Sequence, residues 1–190
     1  MKFITTLILA GALGPTALAA QEFKASASPV SDAVRRILAL DSKNLVASAE
    51  LLPAEKYVYR PTPAQMTFGQ LVVHIVQTNT ALCSGISGNP PDEARYPRLP
   101  MEQLKKLSDT EPKDALVGAI KQSFEYCAEV LAKVDDTHLG EEVTIFGRRA
   151  GVSRADTMVT IATDWADHYS TAASYLRLND ILPPSAKPKK

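Results

Sequence analysis

Apolar residues recur at spacings of three and four along four segments of the chain, the pattern of amphipathic helices that pack against a core. The first predicted helix runs from Pro29 to Leu52, and Pro53 ends it because proline cannot continue the backbone hydrogen bonding. The other three helices are expected over residues 68–86, 113–134 and 153–178. Four such helices, with no convincing sheet, predict an all-α fold in the form of a four-helix bundle.

Polar residues mark the starts of two of these helices. Thr67 precedes the second helix and Gln70 follows three residues later, which is the pattern of a capping box. Ser153 is a good cap for the fourth helix, and Asp156 lies in its first turn, where the helix dipole favours an anion. These signals fix the predicted helix starts more firmly than the apolar spacing alone.

The connection after the second helix is long and rich in proline. Residues 87–104 read SGNPPDEARYPRLPMEQL, which is too long for a tight hairpin, so the third helix need not run antiparallel to the second. A long crossover between helices 2 and 3 is therefore expected. A shorter stretch, EVTIFGRR at 142–149, predicts a small hairpin around Gly147.

The N-terminal residues suggest export. Lys2 precedes an apolar run from Phe3 to about Leu13, and Ala17 to Ala19 form an Ala-x-Ala cleavage pattern, so residues 1–19 are interpreted as a signal peptide. The run is too short for a permanent span, which needs about 20 apolar residues, although an uncleaved anchor is the rival interpretation. The expected remainder is a disordered lead (20–28), one domain (29–184) and a basic tail (185–190), secreted or periplasmic, with no stable membrane span.

The charge balance excludes one class of partner. The chain of 190 residues has 21 basic and 21 acidic residues, so no basic surface for nucleic acid is expected. A small-molecule substrate and a homodimer are both compatible with the sequence. The two cysteines, Cys83 and Cys127, leave two alternatives: one disulfide, which suits an exported protein, or two buried thiols.

Three polar residues fall among the inward positions of predicted helices. Asp164 and His168 lie four apart, so they share one face of the fourth helix with apolar residues. His74 lies in the apolar stretch GQLVVHIVQTN of the second helix. Two histidines and one carboxylate on facing helices could bind a divalent metal, and iron, nickel, zinc and manganese all suit such a set. The alternative is a buried Asp164–His168 hydrogen-bonded pair with His74 elsewhere.

Other polar residues surround this set in the sequence. Four of them lie within a turn of the three ligands and could support them: Gln70, Gln77, Thr78 and Thr171. The third histidine, His138, is expected to be exposed in a loop, and neither cysteine is expected to be catalytic. No catalytic residue and no organic cofactor site is predicted.

Two sequence blocks resemble the DinB-like (DinB/YfiT) superfamily when they occur in this order. The first is LPAEKYVYRPTPAQMTFGQLVVHI at 52–75, and the second is DHYSTAASYLRLNDILPP at 167–184. The resemblance extends over about residues 29–184. It implies a four-helix bundle with a crossover between helices 2 and 3 and a divalent metal near one end. If the crossover makes those two helices parallel, both cysteines lie toward the C-terminal ends of their helices and a disulfide becomes feasible.

Carried over by position, the family's ligand histidines fall on His74 and His168, and its middle ligand falls on Asp164, where many members have histidine. Ser170, Thr171 and Asp180 also depart from the family pattern. Members with known activity are mostly metal-dependent enzymes that use thiols. The resemblance therefore implies a metal-dependent enzyme of thiol transferase or hydrolase type. The alternatives are a non-catalytic bundle that binds a metal or small ligand, and a structural protein with a vestigial site.

Overall fold

The structure is a computed structural model of the chain, and it describes residues 24–145 and 148–186. The expected signal peptide, residues 1–19, lies outside the described residues. So do the first residues of the expected lead, the expected hairpin turn at Gly147 and residues 187–190 of the basic tail.

Four long helices and one short helix make up most of the fold. The elements are α1 (Pro29–Leu51), α2 (Phe68–Ser87), α3 (Met101–Lys106), α4 (Lys113–Ala132), α5 (Arg154–Arg177), β1 (Glu142–Ile145) and β2 (Arg148–Ser153), with 3-10 turns at Ala54–Lys56, Asp136–His138 and Pro184–Ala186. The four long helices agree with the predicted ones to within two residues at each end. The six-residue α3 was not predicted, because it has one buried side chain, Leu104, and therefore no apolar periodicity.

The four long helices form the predicted bundle. Both α1 and α2 pack against α4 and α5, so α1 and α2 lie at opposite corners. Helices α2 and α5 run antiparallel, since the Tyr175 hydroxyl donates to the Met66 carbonyl at one end (2.6 Å) and Arg154 Nε donates to the Ile86 carbonyl at the other (3.0 Å). Helices α2 and α4 run parallel, as the predicted crossover requires.

The parallel arrangement is fixed by a disulfide between Cys83 of α2 and Cys127 of α4. The two Cα atoms are 5.4 Å apart, within the usual range for a disulfide, and both side chains are fully buried. Of the two alternatives for the cysteines, the structure therefore has the disulfide and not the free thiols. It lies in the second half of both helices, on the side of the crossover loop that follows α2.

A polar network joins three helices in the middle of the apolar core. Trp165 Nε1 on α5 donates to Asn79 Oδ1 on α2 (2.6 Å), and Asn79 Nδ2 donates to Ser123 Oγ on α4 (3.0 Å). All three side chains are fully buried. Because each polar atom in the network has a partner, the network sets the register of the helices without the cost of an unpaired buried group.

The helix starts follow the predicted caps, with one addition. Thr67 and Ser153 both form capping boxes, with Gln70 and Asp156 as the third residues. At the start of α1, the cap comes from a distant residue. Asp136 accepts hydrogen bonds from the backbone amides of Val30 and Ser31, both at 2.9 Å.

The predicted hairpin is present as an antiparallel pair of strands, β1 and β2, in which Ile145 is paired with Arg148. It packs against α2 at Gly85. A Cβ atom at that position would lie 2.9 Å from Ile145 Cγ1, so only glycine permits this approach. Among the described residues, no helix is long and apolar enough to cross a membrane.

Candidate metal centre

The structure brings together the three residues that the sequence singled out. His74 lies in the second turn of α2, and Asp164 and His168 lie one turn apart on the antiparallel helix α5. One ligand atom from each residue lies within 4.8 Å of the other two. The imidazole rings of His74 and His168 are 4.9 Å apart between centroids and inclined by 30°. The expectation that His74 lies on the same inward region as the α5 pair is therefore met.

His168 is oriented by the backbone of its own helix. Its Nδ1 lies 2.6 Å from the carbonyl oxygen of Asp164, and since a carbonyl can only accept, Nδ1 must carry the proton. In the neutral ring, Nε2 is then unprotonated and has a lone pair free to bind a metal. Donation from the other ring nitrogen to a carbonyl is the usual way in which a metal-binding histidine is held. His168 is 9% exposed, so the orientation is also fixed by packing.

Asp164 has a buried oxygen that the described residues leave without a partner. Oδ1 lies 3.4 Å from His168 Nδ1, but Oδ2 is buried and accepts no hydrogen bond from any described residue. Burial raises the pKa of this carboxyl above its usual value, and the neighbouring histidines offset only part of the effect. A buried carboxylate oxygen without a donor is costly, and a bound cation would satisfy it.

The surroundings of His74 favour its neutral form. Burial lowers its pKa below the usual value for histidine, and the charge of His168 lowers it further, while the Asp164 carboxylate acts in the opposite direction. Neutral imidazole is the form that binds metal. The Thr78 hydroxyl lies 3.5 Å from His74 Nε2. Two imidazoles and one carboxylate are a donor set that fits iron, nickel, zinc or manganese, with positions left for other ligands.

The four supporting residues expected from the sequence divide into two groups. The Thr78 hydroxyl lies beside His74, as expected, and Thr171 is half-buried on α5. The two glutamines instead hold the backbone. Gln70 Oε1 accepts from the Thr67 amide in the capping box (2.9 Å), and Gln77 Nε2 donates to the Leu104 carbonyl (3.1 Å). Among the described hydrogen bonds, none joins either glutamine to His74, Asp164 or His168.

A cavity of about 410 Å³ opens beside His74. It lies between α2 and the end of the crossover and is lined by Met66, Gln70, Val73, His74, Gln77, Leu107, Ser108 and Asp109. No sequence pattern selects Asp109, which follows His74 by 35 residues in an irregular segment. The remaining histidine, His138, is exposed as expected, and its Nδ1 lies 2.6 Å from Glu141 Oε1.

The fold and the site together define a class of protein. It is a four-helix bundle with one crossover and a candidate metal centre of two histidines and one aspartate between two antiparallel helices. The chain belongs to the DinB superfamily, whose family model matches residues 38–172. That range includes His74, Asp164 and His168. Comparison with curated proteins gives no match.

Solved structures share the fold at low sequence identity. A DinB-like protein from Bacillus cereus is 14% identical, with a TM-score of 0.62 over 80% of this chain and 95% of that one. A DinB family protein from Exiguobacterium sibiricum is 15% identical, with a TM-score of 0.58 over 82% and 95%. A mutant of mycothiol-dependent maleylpyruvate isomerase is 14% identical, with a TM-score of 0.56 over 74% of this chain and 59% of that one.

Proposed function

We propose that this chain is an exported DinB-superfamily protein that binds one divalent metal through His74, Asp164 and His168, and that the metal serves a reaction on a small molecule. The observation that carries the proposal is the buried Asp164 Oδ2, which lacks a donor among the described residues, with two imidazoles beside it. In a site built only for structure, such an oxygen would be expected to have a hydrogen-bond donor.

A divalent metal at this position acts as a Lewis acid, which polarises a substrate and lowers the pKa of water or a thiol. Residues of the chain would orient the ligands of such a metal and give a small molecule access to it. The hydrogen bond from His168 Nδ1 to the Asp164 carbonyl fixes the imidazole ring, so the lone pair of Nε2 points in one direction. Burial lowers the pKa of His74, which favours the neutral imidazole that binds metal. The cavity on the α2 side gives a small molecule access to His74.

We propose a thiol transferase or hydrolase type of reaction. The fold is shared with an isomerase that depends on mycothiol, which supports a reaction that uses a thiol. The family resemblance points in the same direction. We include hydrolysis because a bound divalent metal would also activate water.

Two features support export. The N-terminal residues have the charge, apolar run and Ala-x-Ala pattern of a signal peptide. The buried Cys83–Cys127 disulfide suits an oxidising compartment, because thiols are kept reduced in the cytosol. We therefore place the protein in the periplasm or outside the cell.

One observation favours a second candidate, a non-catalytic bundle in which the site is vestigial. His168 contacts both the carbonyl and the carboxylate of Asp164, so the two residues partly satisfy each other without a metal. In that case Asp164 Oδ2 and His74 would need no common ligand.

Metal analysis of the mature protein, purified from its native compartment, tests the proposal. We expect one equivalent of metal in the native protein and little in His74→Ala and His168→Ala. His138→Ala is the matched control, because it removes an exposed histidine outside the set. Lack of stoichiometric metal in the native protein would favour the vestigial site. Where metal is bound, fast water exchange, measured by proton relaxation with Mn²⁺, supports an open catalytic position over a closed storage site.

A further inference from the structure

The cavity beside His74 has a distinct charge character. Of the eight residues that line it, Asp109 is the only one with a carboxylate, and none is lysine or arginine. The other side chains are uncharged glutamines and a serine, three apolar residues, and His74 itself. A ligand that reaches His74 through this cavity therefore passes a single fixed negative charge.

Asp109 is held in place by the start of α2. The Thr67 hydroxyl donates to Asp109 Oδ2 (3.0 Å) and accepts from the Gln70 amide (3.1 Å), so the carboxylate is tied to the helix through its cap. This bond engages only one of the two carboxylate oxygens. Because Asp109 is half-buried and its position is fixed, binding a ligand there needs little reordering of the side chain.

The backbone of the crossover also closes tightly on α2 at this point. A Cβ atom at Gly69 would lie 3.0 Å from Asp109 Cβ and 3.2 Å from its carbonyl oxygen, so a larger residue would push Asp109 away. His74 follows Gly69 by five residues, or about 7.5 Å along the helix axis. Asp109, which contacts α2 at Gly69, and the candidate ligand His74 therefore line the same cavity.

We propose that the ligand of the metal centre is a small molecule with a primary ammonium group, which binds Asp109 while the opposite end of the molecule reaches the metal. This inference rests on the proposed function, since it needs a metal at His74, Asp164 and His168. The ammonium group is the complement of a carboxylate that lies in a cavity without a competing cation. Asp109 then selects the substrate and does not take part in the reaction itself.

Three hydroxamates of equal head group and different tail charge test this inference on the full mature protein loaded with Co²⁺. 3-Aminopropanohydroxamate carries an ammonium, butanohydroxamate replaces it with a methyl group of similar size, and succinomonohydroxamate carries a carboxylate. Binding is followed by the Co²⁺ absorption spectrum. We expect the ammonium probe to bind about fivefold more tightly than the uncharged one, the ratio for a partly exposed ion pair, and the anionic probe to bind most weakly.

Two variants locate the effect. Asp109→Asn keeps an oxygen that can accept from Thr67, and we expect it to remove the preference for the ammonium probe while Co²⁺ binding and affinity for the uncharged probe stay unchanged. Glu102→Gln removes an exposed charge that pairs with Lys105 on the same crossover, and it should keep the preference.

The outcomes separate the two proposals. Equal affinity for the three probes in a Co²⁺-loaded protein overturns the inference about Asp109 and leaves the metal centre standing. A preference that survives Asp109→Asn, or that is lost equally in Glu102→Gln, also overturns it, since the charge would then act from elsewhere. A protein that takes up no Co²⁺ overturns the proposed function and, with it, the inference.

Discussion

His168 donates its Nδ1 proton to the backbone carbonyl of Asp164, so two candidate ligands lie on one turn of α5 and one of them is oriented by the other's backbone. The bond depends on the helix and not on the Asp164 side chain. Substitution of that side chain should therefore leave His168 in place. The α5 half of the site can be altered chemically without loss of its geometry.

Asp164→His tests whether the side chain at position 164 can be changed while His168 stays in place. Imidazole suits zinc better than manganese, whereas a carboxylate suits manganese well, so we expect the ratio of Zn²⁺ to Mn²⁺ affinity to rise by about tenfold or more. Competition titrations with both metals measure the ratio. Asp167→His, which changes an exposed position on the same helix, should leave the ratio unchanged. An unaltered ratio in Asp164→His would show that this residue is not a ligand.

Acidification should weaken metal binding and reduce one contribution to stability. The pKa of His74 is lower in the folded protein than the unfolded value of about 6.5, so the unfolded chain binds the proton more readily. The contribution of His74 is therefore present above pH 6.5 and is lost as the pH falls through the folded pKa. Bound protons also compete with metal for the imidazoles.

Melting of the metal-free native protein and of His74→Gln at pH 7.5 and 5.0 measures this contribution. Asp164 acts in the opposite sense, because its raised pKa favours the protonated folded form, and the variant comparison removes the part of that effect that does not depend on His74. We expect the melting temperature of the native protein to exceed that of the variant by more at pH 7.5 than at 5.0. An equal difference at both pH values would contradict the lowered pKa of His74.

Removal of the disulfide should lower stability without loss of metal. Cys83 and Cys127 are 44 residues apart, and closure of a loop of that length contributes about 4 kcal/mol in the chain-entropy treatment. We expect the Cys83→Ala/Cys127→Ala variant to lose about 2–4 kcal/mol in urea unfolding. Cys83 follows His74 by nine residues, about 13 Å along the axis, so the metal content should be unchanged. A variant that is fully folded but has lost its metal would show that the disulfide and the metal centre are coupled.

Asn79→Ala should be among the more destabilising substitutions in the core. It removes the acceptor of Trp165 Nε1 and the donor to Ser123, both fully buried, and we expect a loss of about 3 kcal/mol in the free energy of unfolding. Thr163→Ala is the control, since its exposed hydroxyl bonds only to its own helix, and it should stay within about 0.5 kcal/mol. Fluorescence of Trp165 reports both transitions. A loss below 1 kcal/mol would contradict the role of the network.

The sequence predicted the fold well because its signals are local. Apolar spacing and the Thr67 and Ser153 caps each involve residues within a few positions of one another, and the helices they define were found to within two residues. The two α5 residues of the candidate site share that advantage, as Asp164 and His168 are one turn apart. His74 could be added because it interrupts an apolar stretch on a second helix.

The features that could not be predicted from the sequence depend on contacts between distant segments. Asp109 lines the cavity beside His74 only because the crossover returns to α2 at Gly69, and no local pattern marks it. The hydrogen bond from Gln77 to the Leu104 carbonyl in the crossover is likewise absent from any local pattern. The choice between a disulfide and two thiols likewise needed the relative direction of α2 and α4.

The cap of α1 by Asp136 has a consequence for the order of events during synthesis. The first helix is among the earliest parts of the chain to be made, but the carboxylate that completes its start lies 106 residues beyond Val30. Until the chain has been extended past α4, the amides of Val30 and Ser31 have no such partner, and α1 lacks part of its stability. Long sequence separations of this kind slow folding. A nascent chain that ends before Asp136 therefore has an α1 whose first amides lack their side-chain partner.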